Sequence, residues 1–129
     1  MSLFLKHWTP VFLWAFGIFY LSAMPNLSSG LQTDFFLRKL AHIFEYFILA
    51  VFIYNALLNT FSKKQPGSLR IVFLVLFIAF LYAVSDEYHQ TFVFGRDGNI
   101  KDVLIDFLGA MLGACAFYKF KFGSRSKDK

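Results

Sequence analysis

Three short stretches of this sequence hold side chains able to move a proton or hold a charged ligand. His42, Glu45 and Tyr46 stand at i, i+3 and i+4, a spacing that puts them on one face of a helix. Ser85-Asp86-Glu87-Tyr88-His89-Gln90 is a second polar run. At helical spacing His89 and Gln90 flank Asp86 on its face, and Glu87 points about a quarter turn away. Asp102 and Asp106, at i and i+4, again share a face. Carboxylates with imidazoles beside them suit general acid–base work or proton binding. On that reading Glu45 and Asp86 lead as acid or base, with His42 and Glu87 in the same catalytic set. Tyr46, His89, Gln90, Asp102 and Asp106 are candidates for holding a ligand. Arg96 sits in a loop between Gly95 and Gly98. Its fork suits a phosphate or carboxylate head group, and equally a salt bridge to Asp97 or Asp102. Ser85 precedes His89 by one turn, but nothing suggests the oxyanion hole that a Ser–His nucleophile needs. Two histidines with carboxylates could ligate a divalent metal, yet no His-x-x-x-His or Glu-x-x-His pair occurs, so no metal is assigned. No cofactor is assigned either.

The elements that must carry these residues are apolar. The chain has 129 residues, 57% hydrophobic and 21% aromatic, with nineteen Phe, more than a soluble core of this size could bury. Four apolar runs, roughly 8–24, 39–60, 69–92 and 103–120, each approach the ~20 residues that cross a hydrocarbon core as helix. Loop signals at 63–68 and 95–99 separate the last three, and the tail from Gly123 is read as frayed. The sequence therefore predicts an all-α membrane protein, one domain over 1–129 built as a four-transmembrane-helix bundle. The first run is too long for a signal-peptide core, and Leu21 is a poor residue three before a cleavage site, so a retained helix is expected. Cys115 lies in an apolar run with no second cysteine to pair with, and reads as helix filler. Lone helix glycines carry little, but Gly109-x-x-x-Gly113 is a close-packing spacing, used within the chain or, alternatively, in a homodimer.

Charge gives the orientation. The net charge of +5 comes from residues between and after apolar runs, a pattern that fits a membrane surface and not nucleic acid. Lys6, Lys63, Lys64, Arg70, Lys119, Lys121, Arg125, Lys127 and Lys129 map to one side, and Arg38, Lys39, Arg96 and Lys101 to the other. The positive-inside rule then predicts both termini in the cytoplasm. Asp34, Glu45, Asp86, Glu87, Asp97, Asp102 and Asp106 all map to the outer half, and only Asp128 to the inner. By helical rise Glu45, Asp86 and Asp106 lie roughly 7–11 Å below the outer boundary, so three helices are expected to deliver carboxylates to one layer. An ionised residue costs at least ~2.5–3.5 kcal/mol at the bilayer centre, so such residues should face inward or toward water. Polar residues also glue membrane helices, at about 0.6 kcal/mol per pair, which is the structural alternative.

In these blocks the sequence resembles the VanZ-like family, small bacterial membrane proteins named for a teicoplanin-resistance protein. Ser22 and Pro25 resemble its S-x-x-P, and Lys39, His42, Glu45 and Tyr46 its K-x-x-H-x-x-E-Y block. Ser85-Asp86-Glu87 with Gln90, Phe92, Gly95 and Arg96 resembles its S-D-E-x-x-Q-x-F…G-R signature. Asp102, Asp106, Gly109 and Gly113 resemble its closing D…G…G block. Phe94 departs from the family, which usually has Pro there. The resemblance implies a multi-pass protein of the bacterial inner (plasma) membrane and cell envelope. For the named member it implies antibiotic resistance, as reduced susceptibility to lipoglycopeptides; it supplies no settled reaction. The function expected from all of this is an outward acidic/His pocket, set in the lipid bilayer, that binds or processes an anionic ligand such as a lipid-linked phosphate or cell-wall precursor. A non-catalytic binding or shielding protein is the alternative, and a proton or cation transporter a more distant one.

Overall fold

Hydrocarbon offers no partner for a backbone N–H or C=O, so an apolar chain in lipid satisfies them within helices. In the computed structural model, which describes residues 3–25, 32–61 and 69–123, four helices do so. They are α1 (Leu3–Ser22), α2 (Gln32–Phe61), α3 (Leu69–Gln90) and α4 (Ile100–Phe122). Spans long and apolar enough to cross a membrane lie in α2 from Thr33, in α3 and in α4. α1 is shorter, and Lys6, His7, Thr9 and Pro10 make its first half less apolar. α1 and α2 each begin several residues before the apolar run that announced them. Hydropathy marks what sits in hydrocarbon, and a helix can run on beyond it: the first turn of α2 carries Asp34, favourable at a helix N-terminus. The expected loop at 63–68 and the tail at 124–129 lie outside the described residues.

α2 is the hub. It packs most extensively on α4 and also against α1 and α3, while α1 and α3 touch only lightly. Small residues permit this. α3 turns Val75, Ala79 and Ala83 inward, α4 turns Gly109, Ala110, Gly113 and Ala114 inward, and Ala50, Ile53, Tyr54 and Leu57 of α2 meet them. A Cβ on Gly109 would run into the backbone of Ile43, and one on Gly113 into that of Phe47. The glycine pair thus lets α4 lie directly on α2. That face is filled within the chain, which is the intramolecular use of the glycine spacing, and nothing supports the alternative of a homodimer through Gly109 and Gly113. None of the nineteen Phe is buried, and fourteen are exposed, as expected where lipid is the solvent outside. Cys115 is likewise exposed.

α1 is secured by hydrogen bonds as much as by packing. The Trp8 indole donates to Thr60 Oγ1 (3.0 Å), the Trp14 indole to the Glu45 carbonyl (2.9 Å), and the Tyr82 hydroxyl to the Ala15 carbonyl (2.6 Å). Between α3 and α4 the chain reverses through Gly95, whose φ of 75° suits glycine. Asn99 then caps α4, its side chain accepting from the Lys101 N–H at 3.0 Å.

Candidate functional site

The end of the bundle that holds the C-terminus of α3 and the N-terminus of α4 collects the polar residues. On α3 the buried stripe Ala79, Ala83 continues into Asp86, Glu87 and Gln90, because all lie on the face turned toward the bundle. On α4 the same logic puts Asp106 one turn above Gly109, in the plane where α4 comes closest to α2. His42 immediately precedes Ile43, the residue Gly109 packs on, so close approach of the two backbones brings His42 onto Asp106. Its Nδ1 lies 3.0 Å from Asp106 Oδ1. Asp106 is wholly buried, and its Oδ2 has no partner.

Asp86 is equally enclosed, at 2% exposure. Its Oδ2 accepts from Ser22 Oγ at 3.0 Å, Gln90 Nε2 at 3.3 Å and the Tyr46 hydroxyl at 3.4 Å, while its Oδ1 accepts from none. Four elements therefore converge: the end of α1 through Ser22, α2 through His42 and Tyr46, α3 through Asp86 and Gln90, and α4 through Asp106. One ligand atom from each of His42, Asp86 and Asp106 can be chosen so that all three lie within 4.8 Å of one another. Glu45 is half-buried one turn below His42 and feels the charges of His42, Asp86 and Asp106.

Other expected site residues take different roles. Glu87 is buried and accepts the backbone N–H of Asn99 through Oε1 (2.8 Å), tying α3 to the first turn of α4. Arg96 meets neither Asp97 nor Asp102. Its Nε donates to the Met24 carbonyl and its Nη2 to the Leu21 carbonyl, both at 3.0 Å, and its Nη1 to Gln90 Oε1 at 3.4 Å. A guanidinium at the open carbonyls of a helix end is well placed against the α1 dipole. Burial pulls its pKa below the ordinary value, and Arg38 adds to that pull against Asp86, Glu45 and Glu87. Asp102 pairs with Lys39. His89 lays its ring against Phe19, centroids 4.4 Å apart, with Nε2 buried and unpartnered. Ser85 is exposed and donates to the Tyr82 carbonyl (2.7 Å), so it stands apart from the cluster and from any nucleophilic role there.

Above the cluster lies a cavity of about 470 Å³. Arg38, Lys39, Arg96 and Lys101 line it with only Asp97 and Asp102 to oppose them, and His42 and Gln90 stand at its wall too. The site is thus two-layered: a basic pocket near the surface, and enclosed carboxylates beyond it, with His42 belonging to both. Sequence reasoning set aside Ser22, Arg38 and Lys39 as site residues. Ser22 carried a signal in the S-x-x-P block and Lys39 one in the K-x-x-H-x-x-E-Y block; Arg38 was counted only for orientation.

The chain matches the VanZ/LLP1 family over residues 2–121. A relative from Bacillus subtilis (strain 168), described as "Uncharacterized membrane protein YwnJ", is 33% identical over 99 residues, which cover 70% of this chain and 61% of the relative. The chain thus spans less than two thirds of that relative's length. No solved structure matches. The family match runs through all four helices and includes every residue of the two-layered site, and with that relative it makes the chain a member of the VanZ/LLP1 family.

Proposed function

We propose that this chain is an envelope protein of the bacterial inner membrane, with both termini cytoplasmic, whose outward pocket holds an anionic head group such as the phosphate of a lipid-linked cell-wall precursor. The observation that carries this reading is the lining of the pocket. Four cations against two carboxylates leave it basic, and one of those carboxylates, Asp102, is already paired with Lys39. A phosphate entering beside Arg38 and Lys101 meets cations that can form charge-assisted hydrogen bonds. The lipid tail would lie along the exposed Phe35 and Phe36 at the start of α2. Chemistry on the bound head group would fall to Asp86 and Glu45 as acid or base, with His42 bridging pocket and cluster.

Holding without turnover is the second reading, and one observation favours it. Arg96 and Gln90 spend their side-chain polar atoms on bonds within the chain, which leaves fewer groups to act on a substrate. In a producing cell, either reading could underlie reduced susceptibility to teicoplanin if the pocket shields the drug's target.

The test uses the full chain in nanodiscs with a polyprenyl phosphate and the matching neutral polyprenol. The phosphate should bind preferentially, weaken with added salt, and bind at least about tenfold more weakly to an Arg38→Gln, Lys101→Gln double variant. Mass spectrometry of the lipid after incubation separates turnover from holding. Equal binding of phosphate and alcohol would sink the proposal.

A further inference from the structure

The deeper layer carries an inference of its own. We propose that His42, Asp86 and Asp106 form a divalent-cation site inside the bundle, one suited to zinc or manganese. It leaves any acid or base work at the pocket to Glu45, since Asp86 becomes a ligand, but it does not rest on that pocket, because the three side chains would hold an ion whether or not an anion binds nearby.

Charge is the first reason. Two carboxylates, one 2% and the other 0% exposed, share one small volume. His42 is the sole ring nitrogen among the ligand atoms gathered there, and it gives at most one positive charge when protonated. Like charges enclosed away from water need compensation, which a divalent ion supplies in full.

The free oxygens are the second reason, and they are independent of the clustering. Asp86 draws all three of its donors to Oδ2 and leaves Oδ1 bare; Asp106 meets His42 through Oδ1 and leaves Oδ2 bare. Buried polar atoms are rarely left without partners, so a bare oxygen on each of two clustered acids calls for an electrophile beside them. A carboxylate with one oxygen held by hydrogen bonds and the other open is also how outer-shell donors orient a metal ligand. Ser22, Tyr46 and Gln90 would be that outer shell for Asp86.

Distance is the third. Neighbouring ligands of a tetrahedral zinc ion stand roughly 3.3–3.6 Å apart, given bonds near 2.0–2.2 Å. His42 Nδ1 and Asp106 Oδ1 lie 3.0 Å apart, and one ligand atom from each of the three residues lies within 4.8 Å of the others, so the set would close by about 1 Å onto an ion. One imidazole with two carboxylates suits zinc, iron or manganese better than magnesium or calcium, which prefer all-oxygen shells. Because His42 also lines the basic pocket, coordination positions left open by the protein face the place where an anion would enter. The three ligands come from three helices, which is why no spacing within one helix could reveal them.

The full chain, purified in detergent and stripped with a chelator, is dialysed against Zn²⁺ or Mn²⁺ and its metal content measured, with no anionic lipid present. About one ion per chain is expected, with a rise in thermal stability on addition. Asp86→Asn and Asp106→Asn should each weaken binding at least about tenfold, whereas the exposed Asp97→Asn should not. Should those variants fail to fold, the unmodified chain still decides: pulsed EPR of bound Mn²⁺ should show coupling to a histidine nitrogen. Stripped protein that takes up neither ion, or an ion that binds without that coupling, overturns the site and leaves a shared proton between the two acids as its occupant. Since no head group is present, either result leaves the anion-pocket proposal to stand or fall by its own test.

Discussion

Replacing Gly109 with alanine tests how closely the backbones of α2 and α4 approach, and through it the site. The added Cβ would meet Ile43, with the carbonyl carbon and Cα both at 3.0 Å and the carbonyl oxygen nearer still. Ordinary contact begins at 3.4 Å, so the two carbons alone require about 0.4 Å and the nearer oxygen more than that, and what must move is backbone. Overpacking of this kind costs about 1–3 kcal/mol. Alanine also favours a helix over glycine by up to ~1 kcal/mol, so the comparison needs a glycine in a helix with open space around it. Gly17 in α1 has no heavy atom within 4 Å of the position a Cβ would take, and Gly17→Ala receives the helical gain alone. Gly109→Ala should therefore be about 1–3 kcal/mol less stable than Gly17→Ala when both are unfolded in mixed detergent and followed by circular dichroism. The wedge sits one residue from His42 and three from Asp106, so it should also lengthen their 3.0 Å contact and weaken ligand binding at the cluster. Equal stability of the two variants, with the cluster undisturbed, would refute the account of how α4 seats on α2.

Glu87→Ala should cost about 1–3 kcal/mol by stranding the Asn99 N–H, and hydrogen exchange should rise through the first turn of α4. Head-group binding should survive, which separates a residue that braces the helices from one that acts on a substrate. Arg96→Lys should loosen the end of α1, at about 1–2 kcal/mol, because an ammonium cannot reproduce a fork on the Leu21 and Met24 carbonyls; faster proteolysis near Pro25 would report it. With Cys115 changed to serine, Phe94→Cys should react with an impermeant maleimide on intact cells, and Lys121→Cys only after lysis. The opposite pattern would turn the pocket toward the cytoplasm.

Much of the helical framework was legible because apolar runs in a short chain leave few alternatives. Helix ends were less so: α2 begins at Gln32, seven residues before the run that signalled it, since polar helix outside hydrocarbon has no hydropathy signature. That His42, Asp86 and Asp106 would face inward was also legible, as an acid or histidine in such a run avoids lipid; that Ser22 joins them was not. Partnerships were not. Whether His42 meets Asp106 or Glu87 depends on the rotation of α2 against α4, and that is fixed by Gly109 on Ile43, a contact between distant parts of the chain. Ser85 and Asp86 show the same limit within one helix: adjacent letters about 100° apart, one exposed and one buried, told apart only once the stripe from Val75 to Gln90 is known. Arg96 had two natural partners nearby in sequence and chose the end of α1 instead.

The rivets on α1 bear on the order in which the molecule is completed. Of the four helices, α1 leaves the ribosome first, yet its fastenings lie far downstream: Glu45 and Thr60 on α2, Tyr82 and Asp86 on α3, and finally Arg96. Until Arg96 has been synthesised, the Leu21 and Met24 carbonyls have no guanidinium to close them. The bonds of α1 to α2 can therefore form early, but the end of α1 is closed only after the α3–α4 turn has been made.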